Sequence, residues 1–216
     1  MVKLADIKDQ EYDLVVSLGS NCQVTHQIKR AGLRTFSGPL DWFVFGDIHD
    51  LNKAIANKFN DFMQLENLIL QGRHDFTFLV TDIKYNCLSV HDFPLTAEDD
   101  EWLSSYPEFN SKLKHRIDTF FQKIKESKSI LFVRNGIDYE GVEELKNILS
   151  NCTNGNFKIL ALNYVEEYSR PLEKYIDITN ICYVEIENFK ERWEGRDEDW
   201  DYLLSGIKLA RSNELI

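Results

Sequence analysis

A cysteine stands directly behind an apolar run and a short polar turn in "SLGSNCQVTHQ", residues 17–27. The spacing predicts a helix whose first turn holds Cys22, with Ser20 or Asn21 as its cap and Gly32 as its stop. The first backbone N–H groups of a helix have no intrahelical acceptor, and its dipole favours negative charge there. A thiol so placed is expected to ionise more readily than a free one, to act as a nucleophile, and to share its amides with an oxyanion. On that basis Cys22 is the expected most reactive thiol, against Cys87, Cys152 and Cys182 in apolar patterns. The competing reading makes Cys22 a small packed hydrophobe.

A thiol nucleophile needs a base, and five histidines are available. His91 closes the apolar "CLSV" run and is followed by Asp92, so a strand can aim its ring while a carboxylate sets its tautomer. His26 lies four residues after Cys22 on the same helical face. His49, His74 and His115 sit in charged, solvated contexts. In "GPLDWFVF", Asp41 can orient a neighbour while Trp42, Phe43 and Phe45 wall a pocket or cover a sheet. "WEGRDEDWDYLL" reads as an acidic helix start, outside the site. Neither H-x-x-x-H nor H-E-x-x-H occurs, so no metal is expected, and no cofactor.

These groups need a frame. "YDLVVSL", residues 12–18, is continuously apolar, as in a strand covered on both faces. Later come "SILFVRNG", a helix from about Tyr139 to Leu149, "FKILALNYV", "ICYVEIEN" and a helix from about Asp199 to Arg211. Alternation of strand and helix predicts an α/β fold: a mainly parallel sheet flanked by helices, three-layered and flavodoxin-like. One domain over 1–216 is expected, with an insertion at about 36–106 carrying an aromatic loop and a β-hairpin around Thr81–Asp82. A short helix is expected from Asp47 to about Lys58, "DFMQLENLIL" continuing as another, and a long helix from about Glu108 to Glu126. In an open parallel sheet, ligands bind at the carboxyl ends of the strands. Ser20, Asn21 and Cys22 close the first strand, Arg134 and Asn135 another, and Asn163 a third, so these groups converge on one edge.

With 25 basic and 36 acidic residues the net charge is −11, which opposes nucleic-acid backbones and anionic membranes. No C-x-x-C pair occurs, and the four cysteines are widely spaced, which suits free thiols in a reducing cytoplasm. The opening "MVKLADIKDQEYD" lacks the apolar core of a signal peptide, and no apolar window is long enough to span a bilayer.

Taken together, "SLGSNCQV", "LRTFSGPLDW", "HDF" and "ILFVRN" resemble a family of uncharacterised proteins labelled "putative papain-like cysteine peptidases". The resemblance runs from about Asp13 to Asn163 and more weakly beyond. It implies Cys22 as nucleophile and His91 as base, with Asp41 or Asp92 in support. The buried strand immediately before Cys22 sits closer to the layout of SGNH hydrolases than to papain, although no histidine follows His115 to match their C-terminal motif. Three readings follow. The first is a cysteine-dependent hydrolase or acyltransferase acting on a small-molecule, glycan or peptide substrate. The second is a non-catalytic nucleotide-sugar or glycan binding module, using Arg134 and Asn135 with Trp42 as a stacking wall. The third is an interaction protein with the aromatic loop as its patch. The sequence leaves the oligomeric state open.

Overall fold

The structure, a computed structural model, describes residues 2–95, 99–166 and 170–210. Helix α1 (Leu4–Ile7) precedes the short strand β1 (Glu11–Tyr12) and then β2 (Leu14–Ser17), which runs straight into the turn before α2 (Cys22–Arg30). The next segment holds β3 (Phe43–Phe45), α3 (Ile48–Ala56), β4 (Leu68–His74), β5 (Thr77–Asp82) and β6 (Cys87–Pro94). Helix α4 (Tyr106–Glu126), β7 (Ser129–Asn135), α5 (Tyr139–Cys152) and β8 (Asn156–Val165) follow. The described chain closes with β9 (Leu172–Lys174), β10 (Ile181–Glu187), α6 (Asp197–Leu204) and β11 (Lys208–Leu209).

The central sheet has the order β2-β7-β8-β10-β9. Its first four strands are parallel and β9 is antiparallel. Successive side chains of a strand point to opposite faces, and both faces here are apolar. Val15, Leu131, Val133, Leu160 and Val184 pack with Leu4, Ile7, Val24, Ile28, Trp200 and Leu203 of α1, α2 and α6. Val16, Ile130, Phe132, Ile159 and Ala161 pack with residues of α3, α4 and α5. That second cluster continues into Phe43, Phe45, Phe78, Val80 and Phe93 of another sheet.

This second sheet corrects the expected single, mainly parallel, flavodoxin-like sheet. The expected hairpin is present as β5 and β6, but it belongs to an antiparallel sheet of order β3-β6-β5-β4. The extra strands are β3, in the stretch expected as an aromatic loop, and β4, "LILQGRH", whose first three residues were expected to be helical. A 3-10 turn over Leu65–Asn67 ends any helical start, and from Leu68 the burial alternates between half-buried and exposed. That is the period of a strand with one covered face. Helix α6 ends at Leu204, where Ser205 leaves helical geometry, short of the expected Arg211. Residue 211 lies outside the described residues.

Two local features place the site. Asn21 caps α2 by accepting the Gln23 N–H at 3.0 Å, which makes Cys22 the first helical residue. Gly32 at φ +72 ends the same helix in the left-handed region. In β6 a bulge interrupts the ladder. Phe78 pairs Phe93 and Val80 pairs Ser89, so Val90, His91 and Asp92 together face the single residue Leu79. Such a bulge re-aims side chains, and the Thr77 hydroxyl holds it by donating to the Val90 carbonyl at 2.9 Å.

Candidate active site

The turn carrying Cys22 is clamped by the end of β7. Asn135 Oδ1 accepts the Ser20 N–H at 2.8 Å and the Ser20 hydroxyl at 3.1 Å. Its Nδ2 faces Asn21 Oδ1 at 3.2 Å and Gln23 Oε1 at 3.3 Å, and it also meets the Tyr164 hydroxyl. Arg134 Nη1 donates to the Leu18 carbonyl at 2.9 Å. The Phe45 N–H donates to the Ser20 carbonyl at 2.9 Å, which ties β3 of the second sheet to the same turn. Gly19 is required by close approach, since a Cβ there would stand 2.6 Å from the Asn21 carbonyl oxygen.

Above this turn lies a cavity of about 480 Å³. Cys22 and Asn21 line it from the start of α2, and Val90 and His91 from the β6 bulge. The structure thus places Cys22 and His91 on one cavity, although 69 positions separate them in sequence. The His91 ring packs edge-on against Trp42, with centroids 5.3 Å apart and planes at 79°. Trp42 stands behind the histidine, outside the lining, and takes the Arg34 guanidinium 5.9 Å from its ring centroid.

Asp41 and Asp92 are engaged elsewhere. Asp41 is buried and accepts from Arg34 Nη2 at 2.6 Å, the Gly38 N–H at 2.9 Å and the Thr25 hydroxyl at 3.2 Å. It fastens the 34–41 loop to α2. Asp92 accepts from Ser89 at 3.0 Å and from Arg116 of α4 at 3.3 Å. Among the described residues neither carboxylate hydrogen-bonds the His91 ring. Both act on Cys22 by charge. Burial pushes the Cys22 thiol up to about 11, and the Asp92 and Asp41 charges add to the rise. The Cys22 backbone N–H works the other way and is outweighed. The thiol is therefore neutral at pH 7, opposite to the expectation drawn from the helix terminus alone. Desolvation of the thiolate exceeds what one helix end returns. Cys87 and Cys182 are buried too, and Cys152, partly exposed at the end of α5, is the most accessible thiol.

Arg134 and Asn135, taken from the sequence as ligand groups, are both fully buried. Asn135 is consumed by the turn, and Arg134 lies beneath it with Nε and Nη2 unpartnered among the described residues. Asn163 lines a separate depression of about 380 Å³ between the starts of α3 and α5. His26 packs edge-on against Trp193, centroids 5.2 Å apart.

Sequence reasoning did not assign His74, Asp75, Phe76 and Trp193 to the site, nor the lining residues Val44, Thr77 and Val90. The first three form the tip of the β4–β5 hairpin, where His74 pairs Thr77 across the turn and Asp75 adopts φ 46. The signal was "RHDFTF", a polar pair inside an alternating run, with aspartate tolerating the left-handed region. Trp193 comes from the loop before α6. Its carbonyl accepts Gln23 Nε2 at 2.9 Å, so α2 itself holds the tryptophan beside the cysteine.

Fold and site define an α/β protein with a cysteine at a strand-to-helix turn and a histidine on the same cavity. The chain belongs to the family described as "Putative papain-like cysteine peptidase (DUF1796)", whose model matches residues 13–167. It is also similar to an uncharacterized protein of Acanthamoeba polyphaga mimivirus, with 27% identity covering 88% of this chain and 96% of the relative. No solved structure matches it. No helix among the described residues is long and apolar enough to cross a membrane.

Proposed function

We propose that the protein is a cysteine-dependent acyl hydrolase or acyltransferase, with Cys22 as nucleophile and His91 as general base. One observation carries this reading: Cys22, at the first turn of α2, and His91, on the β6 bulge, line the same cavity. Because the thiol is neutral, its proton leaves in step with attack rather than from a preformed ion pair. Cys22 Sγ bonds to the acyl carbon while its proton passes to the His91 imidazole. The Asn21 and Cys22 amides at the helix start face the developing oxyanion. The tetrahedral intermediate collapses, the bond to the leaving group breaks, and His91 returns the proton to that group. Water or another acceptor then attacks the thioester carbon as His91 takes its proton; the C–S bond breaks, the acyl group leaves on the acceptor, and His91 returns the proton to the Cys22 sulfur. A peptide amide, as the family's description suggests, is one substrate of this chemistry; esters and thioesters are others. The widely spaced cysteines suit a reducing cytoplasm.

Incubation with a neutral p-nitrophenyl ester, followed by peptide mass mapping, tests the reading. Wild type should carry the acyl group on the Cys22 peptide, and His91→Ala should slow acylation by about 10²-fold or more. Acylation that is absent, or unchanged in His91→Ala, overturns it. The thiol held near 11 and a histidine that neither Asp41 nor Asp92 orients favour a second reading, a non-covalent binding module using the same cavity. In that reading Arg134, Asn135 and Trp42 contribute as supports behind the ligand, since all three lie outside the lining.

A further inference from the structure

Two large aromatic side chains stand exposed at this cavity. Phe76, at the hairpin tip, is 86% exposed, and Trp193, on the loop before α6, is 57% exposed. They lie 117 positions apart in the chain and line the same space, together with Val44 and Val90. Keeping both aromatics in water is unfavourable, and exposed apolar groups at the rim of a concavity mark a site that gains by covering something apolar. Neither residue is loosely attached. The Trp193 ring rests on His26 and its carbonyl on Gln23, while the Phe76 carbonyl accepts the Leu95 N–H at 3.0 Å. The Trp193 ring and the backbone of both lips are therefore held before any ligand arrives.

Charge narrows the ligand. Of the ten described residues that line the cavity, Asp75 alone is formally charged with histidines neutral, and none is a lysine or arginine. Arginines around the site are paired: Arg34 with Asp41 at 2.6 Å, Arg116 with Asp92 at 3.3 Å, and Arg192, next to Trp193 in the chain, with Asp197 at 3.5 Å. A phosphate or sulfonate would meet one helix terminus, no free cation among the described lining residues, and the Asp75 carboxylate. The cysteine supports the same conclusion, because the anion that could form at this spot, its own thiolate, is disfavoured there.

We infer that the Cys22 cavity takes an uncharged aromatic or aliphatic group, gripped between Phe76 and Trp193, and rejects anionic ligands. This deepens the proposed function by naming the class of acyl group or side chain the site accepts, and it rests on that reading only for the claim that the bound group is then transferred. The volume is within the ~300–1,000 Å³ usual for small-molecule sites, so one ring system or a medium acyl chain fits.

A matched pair of fluorescent probes tests this with the whole chain. N-phenyl-1-naphthylamine is neutral, and 1-anilinonaphthalene-8-sulfonate has the same rings with an added sulfonate. Titration should show saturable one-to-one binding of the neutral probe, with the sulfonate at least tenfold weaker. Phe76→Ser and Trp193→Ser should each weaken the neutral probe severalfold and together at least tenfold; circular dichroism checks that these exposed substitutions leave the fold intact. Cys22→Ser should keep the probe. Equal or tighter binding of the sulfonate, or neutral-probe binding indifferent to both lips in a folded double variant, overturns the inference. The two readings fail separately. Lip-dependent binding without Cys22-dependent acylation would retain this inference and remove catalysis. Cys22-dependent acylation without lip-dependent binding would do the reverse.

Discussion

Alkylation of Cys22 should be slow at neutral pH and should climb steeply with alkali. An ordinary thiol, with a pKa of about 8.5, is about 10% ionised at pH 7.5. With Cys22 pushed up to about 11, its thiolate fraction there is about 0.03%. The deficit is about 300-fold. A more basic thiolate is intrinsically a better nucleophile, which returns about tenfold over this interval. The net expectation is labelling about 30-fold slower than a free cysteine peptide, and slower still because the side chain is buried. Limiting iodoacetamide with peptide mass mapping from pH 7 to pH 10.5 reads this directly. The Cys22 rate should rise about tenfold per pH unit with no plateau before about pH 10, while Cys152 should label first at neutral pH. Asp92→Asn removes one of the charges that oppose the thiolate and should move the profile to lower pH. A plateau below pH 8 in the wild type would refute the reasoning. It would mean that a thiolate–imidazolium pair exists at rest and that burial and the two carboxylates do not govern this thiol.

Further outcomes follow from the same contacts. Asp41→Asn should act mainly on stability, because it breaks a buried pair with Arg34; a loss of about 3 kcal/mol, read by urea denaturation, is expected, and an unchanged midpoint would contradict the role assigned to Asp41. Gly19→Ala should cost about 1–3 kcal/mol by forcing a Cβ against the Asn21 carbonyl, with the displaced turn also slowing acylation at Cys22. His91→Ala should leave the urea midpoint within about 0.5 kcal/mol, since the side chain is exposed; a larger drop would make His91 a structural residue. The folded protein should also be alkali-sensitive. Folded Cys22 keeps its proton up to about 11 while the unfolded thiol loses it near its ordinary value, so stability falls as pH rises through that interval, by up to about 3 kcal/mol from Cys22. Cys87 and Cys182 act in the same direction. Urea midpoints at pH 7.5, 9 and 10 should decline, and the slope should lessen in Cys22→Ser.

What the sequence determined by itself is local. Asn21 before Cys22 is a capping residue at the end of an apolar run, and the chemistry of a helix start needs only the next two or three residues to operate. Hence the position of Cys22 at the head of α2, the Gly32 stop, the Asp47 start of α3, the start of α5 at about Tyr139, and the parallel strands of the central sheet were all legible. The tertiary structure decided the rest, because those properties belong to contacts between distant segments. Whether His91 lines the Cys22 cavity depends on a β6 bulge, and a period-two pattern does not mark an extra residue pair. Whether Phe76 and Trp193 line one cavity depends on how a hairpin and a late loop dock beside α2. Arg134 and Asn135 were visible as polar strand ends, but their direction, inward to hold the turn, is set by the loops that close over them. The cysteine shows the difference most plainly. Its helix terminus, which lowers a thiol pKa, is written in four adjacent residues; the burial and the two carboxylates that raise it come from the antiparallel sheet and the 34–41 loop, and the longer-range contributions win.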